Sequence, residues 1–276
     1  MTLTEPAPAK LNLALHVRRR RGDGYHELET LFAFVADGDS VELDEAGKGF
    51  AVNGPFAGAL AAEADNLVTR AAASFGAAFG TAPAGRITLT KNLPVASGLG
   101  GGSADAAATL RLLARRHGTA IDDPRLFECA DALGSDVPAC LYSRSAIGSG
   151  RGEQLQWIDG APGTPGLLVN PGVAVSTGAV FAAWDGIDRG GLGQGGLLDR
   201  AQAGRNDLEP PARAIAPVIG EALTLLGEQP GVILARMSGS GATCFALFDS
   251  PAARTAAAGA VAAAQPRWWC LETALS

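Results

Sequence analysis

One stretch of the sequence, residues 87–116, constrains the fold more strongly than any other. It begins with ITLT, in which apolar and polar side chains alternate as they do in a half-buried strand. A run almost bare of side chains follows, GLGGGS at 98–103, and the alanine-rich segment after it has a high helix propensity until Gly118. Because serine is a common N-cap, we expect Ser103 to cap a helix over residues 104–116. The stretch therefore predicts a strand, a glycine loop and a helix in direct succession.

The glycine loop has the composition of a phosphate-binding loop. A helix N-terminus offers unpaired N–H groups and the positive end of the helix dipole, and glycines let a phosphate approach that backbone closely. Two familiar phosphate motifs do not match, because Ser103 and Ala104 stand where one requires lysine and a hydroxyl residue, and serine replaces the third glycine of the other. We interpret the loop as phosphate-binding; the alternative is a turn that packs a helix tightly on a sheet.

Composition and charge exclude several classes of function. The chain has 276 residues and a net charge of −6 at pH 7, which argues against nucleic acid or an acidic membrane as the main partner, because both require a basic face. We expect no signal peptide, since no basic segment leads into an apolar run at the start, and no membrane span. The four cysteines form no CxxC pair. We therefore expect free thiols and a cytoplasmic protein.

The remaining patterns favour an α+β fold. Apolar residues alternate over 11–17 and again after a turn at 22–24, which predicts a β-hairpin. Further along, helical and strand-like segments follow one another without regular alternation. The helices are expected at 126–133, 217–226 and 252–264, and the strands at 167–169 and 242–248. Because this order is not that of a doubly wound parallel sheet, α+β is the predicted class.

Three segments, in order along nearly the whole chain, resemble the motifs of the GHMP kinases. They are PAKLNLALHV at 8–17, the glycine loop with its preceding Pro94, and RMSGSGATCFALF at 236–248. The resemblance implies a two-lobed GHMP kinase fold, with an N-terminal ATP-binding lobe over residues 1–155 and a C-terminal, ferredoxin-like substrate lobe over residues 156–276. It also implies ATP and Mg²⁺ as cofactors. Ser103 is a candidate Mg²⁺ ligand, with a helix cap as its alternative, and the sequence assigns no carboxylate ligand.

Further segments make the resemblance specific for one member of that family. They are GDGYHELETLF, DNLVTRA, LGSDVP, NPGV and NDLE. This member transfers a phosphoryl group from ATP to the 2-hydroxyl of a cytidine-diphosphate-linked methylerythritol, in the non-mevalonate isoprenoid pathway of bacteria. The implied partner is a small cytidine-diphosphate substrate, and we expect a monomer or a weak homodimer.

The same resemblance assigns two catalytic residues. Asp136, in the LGSDVP segment, is implied as the base that takes the proton of the substrate hydroxyl; taken alone, it has the pattern of an ordinary helix N-cap. Lys10 is implied as its partner, which keeps Asp136 ionised and neutralises charge on the transferred group. From its position opposite Leu11 on the strand, Lys10 either meets water at a sheet edge or lines a cleft.

The substrate-binding residues are implied in the same way. Asn12 would bond substrate hydroxyls, His26 and Tyr25 would recognise and hold the cytosine, and Phe181 would stack on it. Taken alone, these are a polar residue at a sheet edge, two surface residues and a core aromatic. The full set is Asn12, Tyr25, His26, Thr177, Phe181, Gly239 and Gly241. The alternatives for the last members are a hydroxyl bonded to its own backbone at Thr177 and a strand-entry turn at the two glycines.

The residues implied for ATP surround the glycine loop. They are Pro94, Gly98, Leu99, Gly100, Gly101, Gly102, Ser103, Ala104 and Asn66. Asn66 would lie near the adenine, and its alternative is another helix N-cap.

Two other functions are left open. A related kinase for homoserine or mevalonate would have no use for a base-recognising His26 and a stacking Phe181. A ligand sensor without activity would not need both Lys10 and Asp136. The lobe boundary, the order of substrate binding and the role of a glycine-rich loop at 186–196 are also left open by the sequence.

Overall fold

A computed structural model of the chain describes residues 2–60, 66–81 and 85–276. Its strands are β1 (Thr2–Arg20), β2 (His26–Asp44), β3 (Gly49–Asn53), β4 (Arg86–Thr90), β5 (Ala146–Gly150), β6 (Gln154–Trp157), β7 (Pro165–Asn170), β8 (Val232–Met237), β9 (Cys244–Phe248) and β10 (Trp269–Ala274). Its α-helices are α1 (Leu67–Phe79), α2 (Gly101–His117), α3 (Pro124–Leu133), α4 (Val137–Tyr142), α5 (Thr177–Ala182), α6 (Leu197–Ala203), α7 (Glu209–Ile215), α8 (Val218–Gly227) and α9 (Pro251–Ala264). None of the helices in these ranges is long and apolar enough to cross a membrane.

The chain folds into two compact units that are interleaved along the sequence. The first takes its described residues from 2–9, 37–95 and 100–143, and the second comprises residues 10–36, 96–99 and 144–276. β1, β2 and the glycine loop therefore each contribute residues to both units. These units do not test the division into lobes at 1–155 and 156–276, which stays a prediction.

The first unit combines a small sheet with four helices. β4, the strand predicted before the glycine loop, pairs antiparallel with residues 40–44 of β2 and parallel with β3. α1 packs against α2 and α3, and α4 packs against α2 and α3. Ala106, Ala107 and Ala108 of α2 are fully buried. Their small side chains let the neighbouring helices approach α2 closely, which explains why an alanine-rich segment can form a helix with ten buried residues.

A buried lysine lies against the start of α2. Lys91 Nζ donates to the carboxylates of Asp39 and Asp105, and all three side chains are buried. Asp39 also accepts from the backbone N–H groups of residues 92 and 93, whereas Asp105 Oδ1 has no hydrogen-bond partner. Burial outweighs the attraction of Lys91 and raises the pKa of Asp105 to about 7. Asp105 is thus the weakly held member of a buried ion cluster.

The second unit is built on a four-stranded antiparallel sheet in the order β10-β7-β9-β8. α8 precedes β8, α9 joins β9 to β10, and both helices pack against the sheet. The succession β7, α8, β8, β9, α9 and β10 is that of a ferredoxin-like fold. Leu167, Ile219, Phe248 and Val261 lie in the core between these layers. The predicted α+β class and the ferredoxin-like C-terminal part are confirmed.

Five of the predicted elements are confirmed to within two residues. They are the strands β7 and β9 and the helices α3, α8 and α9. Proline occupies the first position of α3 and α9, where its missing N–H costs no hydrogen bond. Gly134 ends α3 as expected.

The predicted β-hairpin is also confirmed, because β1 and β2 pair on either side of the turn at 22–24. The alternation over 11–17 is typical of a half-buried strand, but residues 10–17 of β1 are buried on both faces. Their polar side chains find partners inside the unit: Asn12 Nδ2 donates to Thr30 Oγ1 (2.7 Å), and His16 Nδ1 lies 3.0 Å from Gly190 O. Alternation in a sequence cannot distinguish a polar face in water from one whose hydrogen bonds are made within the protein.

We predict that Asp105→Asn makes the free energy of unfolding less dependent on pH. The pKa of Asp105 is raised from 3.8 to about 7 by folding. Between these two pH values the folded state therefore holds a proton that the unfolded chain has lost. The resulting stabilisation of the folded state is complete below pH 4 and is lost as the pH rises toward 7. Between pH 5.5 and 8 the wild type should lose about 2 kcal/mol relative to the variant in urea unfolding.

Asp122→Asn, at an exposed carboxylate, is the matched control for this measurement. Its pH dependence should follow that of the wild type. The same pH dependence in Asp105→Asn would contradict the assignment of a raised pKa to Asp105.

Candidate active site

In the first unit, α2 begins three residues earlier than expected. Gly100, with φ of 63°, precedes the helix, and no side chain caps it. Ser103 is therefore not the N-cap but the third helical residue, and the first helical hydrogen bond joins Ala104 N to Gly100 O (2.8 Å). A left-handed glycine turns the chain into the helix without a side-chain cap, which the preference for serine does not anticipate. The first three N–H groups of α2 are left without an acceptor inside the helix.

The start of α2 presents backbone and almost no side chains. A Cβ on Gly101 would lie 2.8 Å from Lys91 Nζ, and one on Gly102 would lie 3.2 Å from Leu67 Cδ1. Gly102 is exposed, whereas Ala104 is buried. Glycine at these positions thus lets the helix end pack closely and leaves its N–H groups open to an anion. This arrangement suits a phosphate group.

Asn66 caps α1. Its Oδ1 accepts hydrogen bonds from Val68 N (3.0 Å) and Thr69 N (3.1 Å), which is the structural role named as its alternative. Its Nδ2 is buried and has no hydrogen-bond partner. A role toward adenine, which stays a prediction, would therefore fall to this donor. Asp65, the first residue of the DNLVTRA segment, lies outside the described residues.

The second unit brings Lys10, Asn12 and Leu99 together. Lys10 is 3% exposed, its Nζ donates to Asn12 Oδ1 (2.6 Å), and its backbone N–H donates to Leu99 O (3.0 Å). Its ammonium also lies 5.6 Å from the centroid of the Phe32 ring. Exposure to water at a sheet edge, one of the two expectations for Lys10, is wrong. A buried ammonium requires polar partners, and this unit supplies them.

Ser238 joins this strand to the glycine loop. Its hydroxyl accepts from Asn12 N (3.2 Å) and donates to Gly98 O (2.9 Å). A Cβ on Gly98, where φ is 81°, would lie 2.4 Å from Ser238 O. Gly239 and Gly241 lie in the turn between β8 and β9, and a Cβ on Gly239 would lie 3.2 Å from Asn12 Oδ1. Glycine is required here because backbone segments meet closely around Asn12.

Asp136 belongs to the first unit and directly precedes α4. Its side chain makes no N-cap hydrogen bond. The ordinary cap named as its alternative is therefore wrong, and the carboxylate is not committed to the helix end. The pairing of Asp136 with Lys10, and its role as a base, stay predictions.

Three aromatic rings meet in the second unit. The His26 ring lies 4.9 Å from the Phe181 ring, and the Trp184 ring meets His26 edge-on at 5.8 Å. Two buried polar atoms of this cluster, His26 Nε2 and Trp184 Nε1, have no hydrogen-bond partner. Buried polar atoms without partners are rare and call for a ligand or water. His26 and Phe181, which the family resemblance assigns to one base, are thus brought together.

His26 is held in its neutral form. Burial, followed by the charge of Arg20, lowers the pKa of His26 below its ordinary value of 6.5. Arg20 is fixed nearby because it donates to the carbonyl groups of Ala182, the last residue of α5, and of Trp184. A neutral imidazole carries one donor and one acceptor nitrogen, as recognition of an uncharged base requires.

Thr177 and Tyr25 differ in how firmly they are placed. The Thr177 hydroxyl, at the first position of α5, lies 2.9 Å from Ser240 Oγ. Its partner is therefore another side chain, and not its own backbone as in the alternative named for it. Tyr25 is 53% exposed, with the guanidinium of Arg151 5.2 Å from its ring centroid. Its role toward cytosine stays a prediction.

The glycine-rich loop at 186–196 is tied to the rest of the second unit at Gly190. Its carbonyl oxygen accepts from Arg205 Nη2 (2.8 Å) and lies 3.0 Å from His16 Nδ1. The Arg189 guanidinium is bound to Asp185. Arg189 thus has a structural partner directly before the loop.

Several residues of these clusters were not found from the sequence. The sequence assigned no role to Lys91, Trp184 or Ser238, although Ser238 lies in the motif at 236–248. Arg236, in the same motif, is buried and donates to the carbonyl groups of Leu13, Ala201 and Gly204. Only long-range contacts give these residues their roles, and a single sequence carries little signal for such contacts.

Metal-ligating side chains are sparse in the part of the chain that the structure describes. No group of three His, Cys, Asp or Glu residues in these ranges could hold a metal ion.

Comparisons with known proteins agree with this geometry. The model of the GHMP kinases N terminal domain matches residues 66–144, and that of the GHMP kinases C terminal domain matches residues 189–267. A protein of Rhizorhabdus wittichii named 4-diphosphocytidyl-2-C-methyl-D-erythritol kinase is 58% identical, over 99% of this chain and 94% of its own. The chain belongs to the 4-diphosphocytidyl-2-C-methyl-D-erythritol kinase family of GHMP kinases.

Further relatives of this GHMP kinase carry the same name. The protein of Novosphingobium aromaticivorans is 51% identical over 100% of this chain and 93% of its own. A crystal structure of 4-(cytidine 5'-diphospho)-2C-methyl-D-erythritol kinase is 36% identical, with a TM-score of 0.82 and full coverage of both chains. Homoserine kinase from Cytophaga hutchinsonii, at 16% identity and a TM-score of 0.71, shares the fold. Membership of a GHMP kinase family implies the use of ATP.

We predict that Arg20→Gln raises the pKa of His26 toward 6.5. The substitution removes the nearby positive charge that disfavours the imidazolium, while burial still lowers the pKa. NMR titration of the histidine side chains measures this pKa directly. The chain has three histidines, so the signal of each can be followed separately. Arg19→Gln is the matched control: it removes the same charge from a largely exposed side chain that pairs with Glu27 (3.8 Å). Equal shifts in both variants would contradict a specific effect of Arg20.

Proposed function

We propose that this GHMP kinase transfers the γ-phosphoryl group of ATP to the 2-hydroxyl of 4-diphosphocytidyl-2-C-methyl-D-erythritol, giving ADP and the 2-phosphate in the non-mevalonate isoprenoid pathway. The observation that carries the proposal is the aromatic cluster of His26, Phe181 and Trp184, with its unpartnered buried nitrogens. The full-length relatives of the same name support it.

Phosphoryl transfer needs positioning and charge neutralisation more than covalent chemistry from the protein. The N–H groups at the start of α2 would bind ATP phosphates, since they have no acceptor within the helix. Asn66 Nδ2, a buried donor without a partner, would bond the adenine. Mg²⁺ would neutralise phosphate charge, held by phosphate oxygens and water.

Asp136 would take the proton of the 2-hydroxyl. Its side chain makes no N-cap hydrogen bond, and an aspartate carboxylate is a suitable base for an alcohol in phosphoryl transfer. Lys10 would stabilise that ionised form and the charge on the transferred group. Asn12 would bond the substrate hydroxyl groups, because its amide is already oriented by Lys10 and Thr30.

The cytosine would be recognised by the aromatic cluster. His26, kept neutral, would bond the edge of the base through Nε2, and Phe181 would stack on its face. Tyr25 and Thr177 would complete the substrate contacts, with Gly239 and Gly241 giving close approach. A homoserine or mevalonate kinase would have no use for this cluster.

The deciding experiment is the release of ADP by the purified protein with Mg-ATP. The acceptors are 4-diphosphocytidyl-2-C-methyl-D-erythritol, homoserine, mevalonate and none. Turnover with the cytidine compound alone supports the proposal, and turnover with another acceptor overturns it. If no acceptor leads to release of ADP although ligand binding is measurable, the ligand sensor is favoured. A cytoplasmic location and a monomer or weak homodimer stay predictions.

Asp136→Asn should lower kcat by about 10²- to 10⁴-fold, the range typical of a lost general base, while ATP binding persists. Steady-state kinetics and calorimetric titration of ATP measure the two effects. Asp122→Asn, at an exposed carboxylate, is the control and should leave both unchanged. Near-normal turnover by a folded Asp136→Asn variant would remove Asp136 from the mechanism.

Phe181→Ala should raise the KM for the cytidine substrate more than the KM for ATP. The loss corresponds to a stacking contact of about 1 to 3 kcal/mol. Phe181→Tyr retains the ring and should restore most of the affinity. Equal increases in both KM values would show that Phe181 supports the fold in general and not the base.

A further inference from the structure

Asn206, in the NDLE segment, makes a complete set of buried hydrogen bonds. Asn206 is only 5% exposed, and its Nδ2 donates to both Met237 O and Gly239 O at 2.8 Å. Its Oδ1 accepts from Leu208 N (2.9 Å). One amide group thus holds the carbonyl oxygen of the last residue of β8 and one in the turn between β8 and β9.

The backbone around Asn206 is fastened to β1. Leu15 N donates to Arg205 O, and Asp207 N donates to Leu15 O, each at 2.8 Å. The Asp207 carboxylate also accepts from Val17 N (2.9 Å). Asn206 is therefore fixed to the same strand that carries Lys10 and Asn12.

The β8–β9 turn that Asn206 holds also contacts Asn12. Ser238 Oγ accepts from Asn12 N, and a Cβ on Gly239 would lie 3.2 Å from Asn12 Oδ1. Asn12 Oδ1 is the atom that accepts from Lys10 Nζ. Asn206 thus bonds the residues on either side of Ser238, and Ser238 is hydrogen-bonded to Asn12, which accepts from Lys10.

The turn needs such an external support. Gly239 and Gly241 have φ of 57° and 89°, and glycine backbones have many accessible conformations. Two carbonyl oxygens that face one nitrogen would repel each other without the two hydrogens between them. A primary amide supplies both hydrogens without a charge, which neither a carboxylate nor a hydroxyl does.

We propose that Asn206 is a positioning residue for phosphoryl transfer, which sets Asn12 and Lys10 in their reactive geometry by fixing the turn at 238–241. It acts through these residues and does not contact the substrate. The proposal rests on the proposed function, because it concerns the rate of that transfer.

The test is Asn206→Asp, which retains the shape and the acceptor for Leu208 N but turns a carboxylate oxygen toward the two carbonyl groups. We expect kcat to fall about 10- to 100-fold, as for other lost supports of catalytic groups. The KM values for ATP and for the cytidine substrate should change by less than about threefold, since ligand contacts remain. Rates are normalised to the folded fraction, measured by ATP-binding stoichiometry.

Asn170→Asp is the matched control. Asn170 is 4% exposed, its Nδ2 donates to Thr243 Oγ1 (2.8 Å), and its Oδ1 accepts from Gly172 N (2.8 Å). The chemical change and the burial are the same, but the threonine hydroxyl can rotate and donate to the new carboxylate. We expect kcat to stay within about threefold of the wild type.

Hydrogen exchange gives a second readout, which does not depend on turnover. Backbone amides of residues 238–241 and Asn12 should exchange faster in Asn206→Asp than in Asn170→Asp. If the first variant does not fold, Asn206→Ser, which can donate to one carbonyl, takes its place and should show a smaller loss of kcat.

The outcomes separate the two proposals. A wild-type protein without turnover of the cytidine compound overturns the proposed function, and exchange at 238–241 then still decides whether Asn206 holds the turn. A wild-type kcat in folded Asn206→Asp, unchanged exchange at 238–241, or a change confined to KM would each overturn the positioning role.

Discussion

One hydroxyl group, that of Ser238, joins three segments that are far apart in the sequence. It accepts from the N–H of Asn12 on β1 and donates to Gly98 O in the glycine loop, while it belongs to the turn after β8. Because a hydroxyl has one hydrogen and two lone pairs, it can serve both neighbours at once. The positions of Lys10 and Asn12 relative to the loop residues 96–99 depend on this bond.

Around that bond the second unit is stabilised by buried polar groups as much as by apolar packing. Arg236 satisfies its guanidinium with three carbonyl groups, and Asn206 satisfies its amide with three backbone partners. The first unit has its own example in Lys91 with two carboxylates. Such groups cost much when one partner is removed, so they define one arrangement of the backbone more sharply than apolar contacts do.

The sequence was sufficient for the fold class, the family and most elements, because these depend on local periodicity and on ordered motifs. It failed at Ser103, since the left-handed Gly100 begins the helix without a side-chain cap. It also missed Trp184 and Asn206. Trp184 contacts His26, which lies in the opposite half of the chain, and Asn206 bonds the turn at 238–241, more than thirty residues further on. Contacts of that range are made only once the chain has folded.

The interleaving of the two units has a consequence for how the protein is made. Residues 10–36 leave the ribosome early, yet their partners are β5 and the segment around Asn206. The edges of the β1–β2 hairpin over residues 10–36 therefore stay unpaired until more than a hundred further residues have been synthesised, at about 5 to 20 residues per second. Neither unit can be obtained by cutting the gene once, and folding dominated by such distant pairings is expected to be slow.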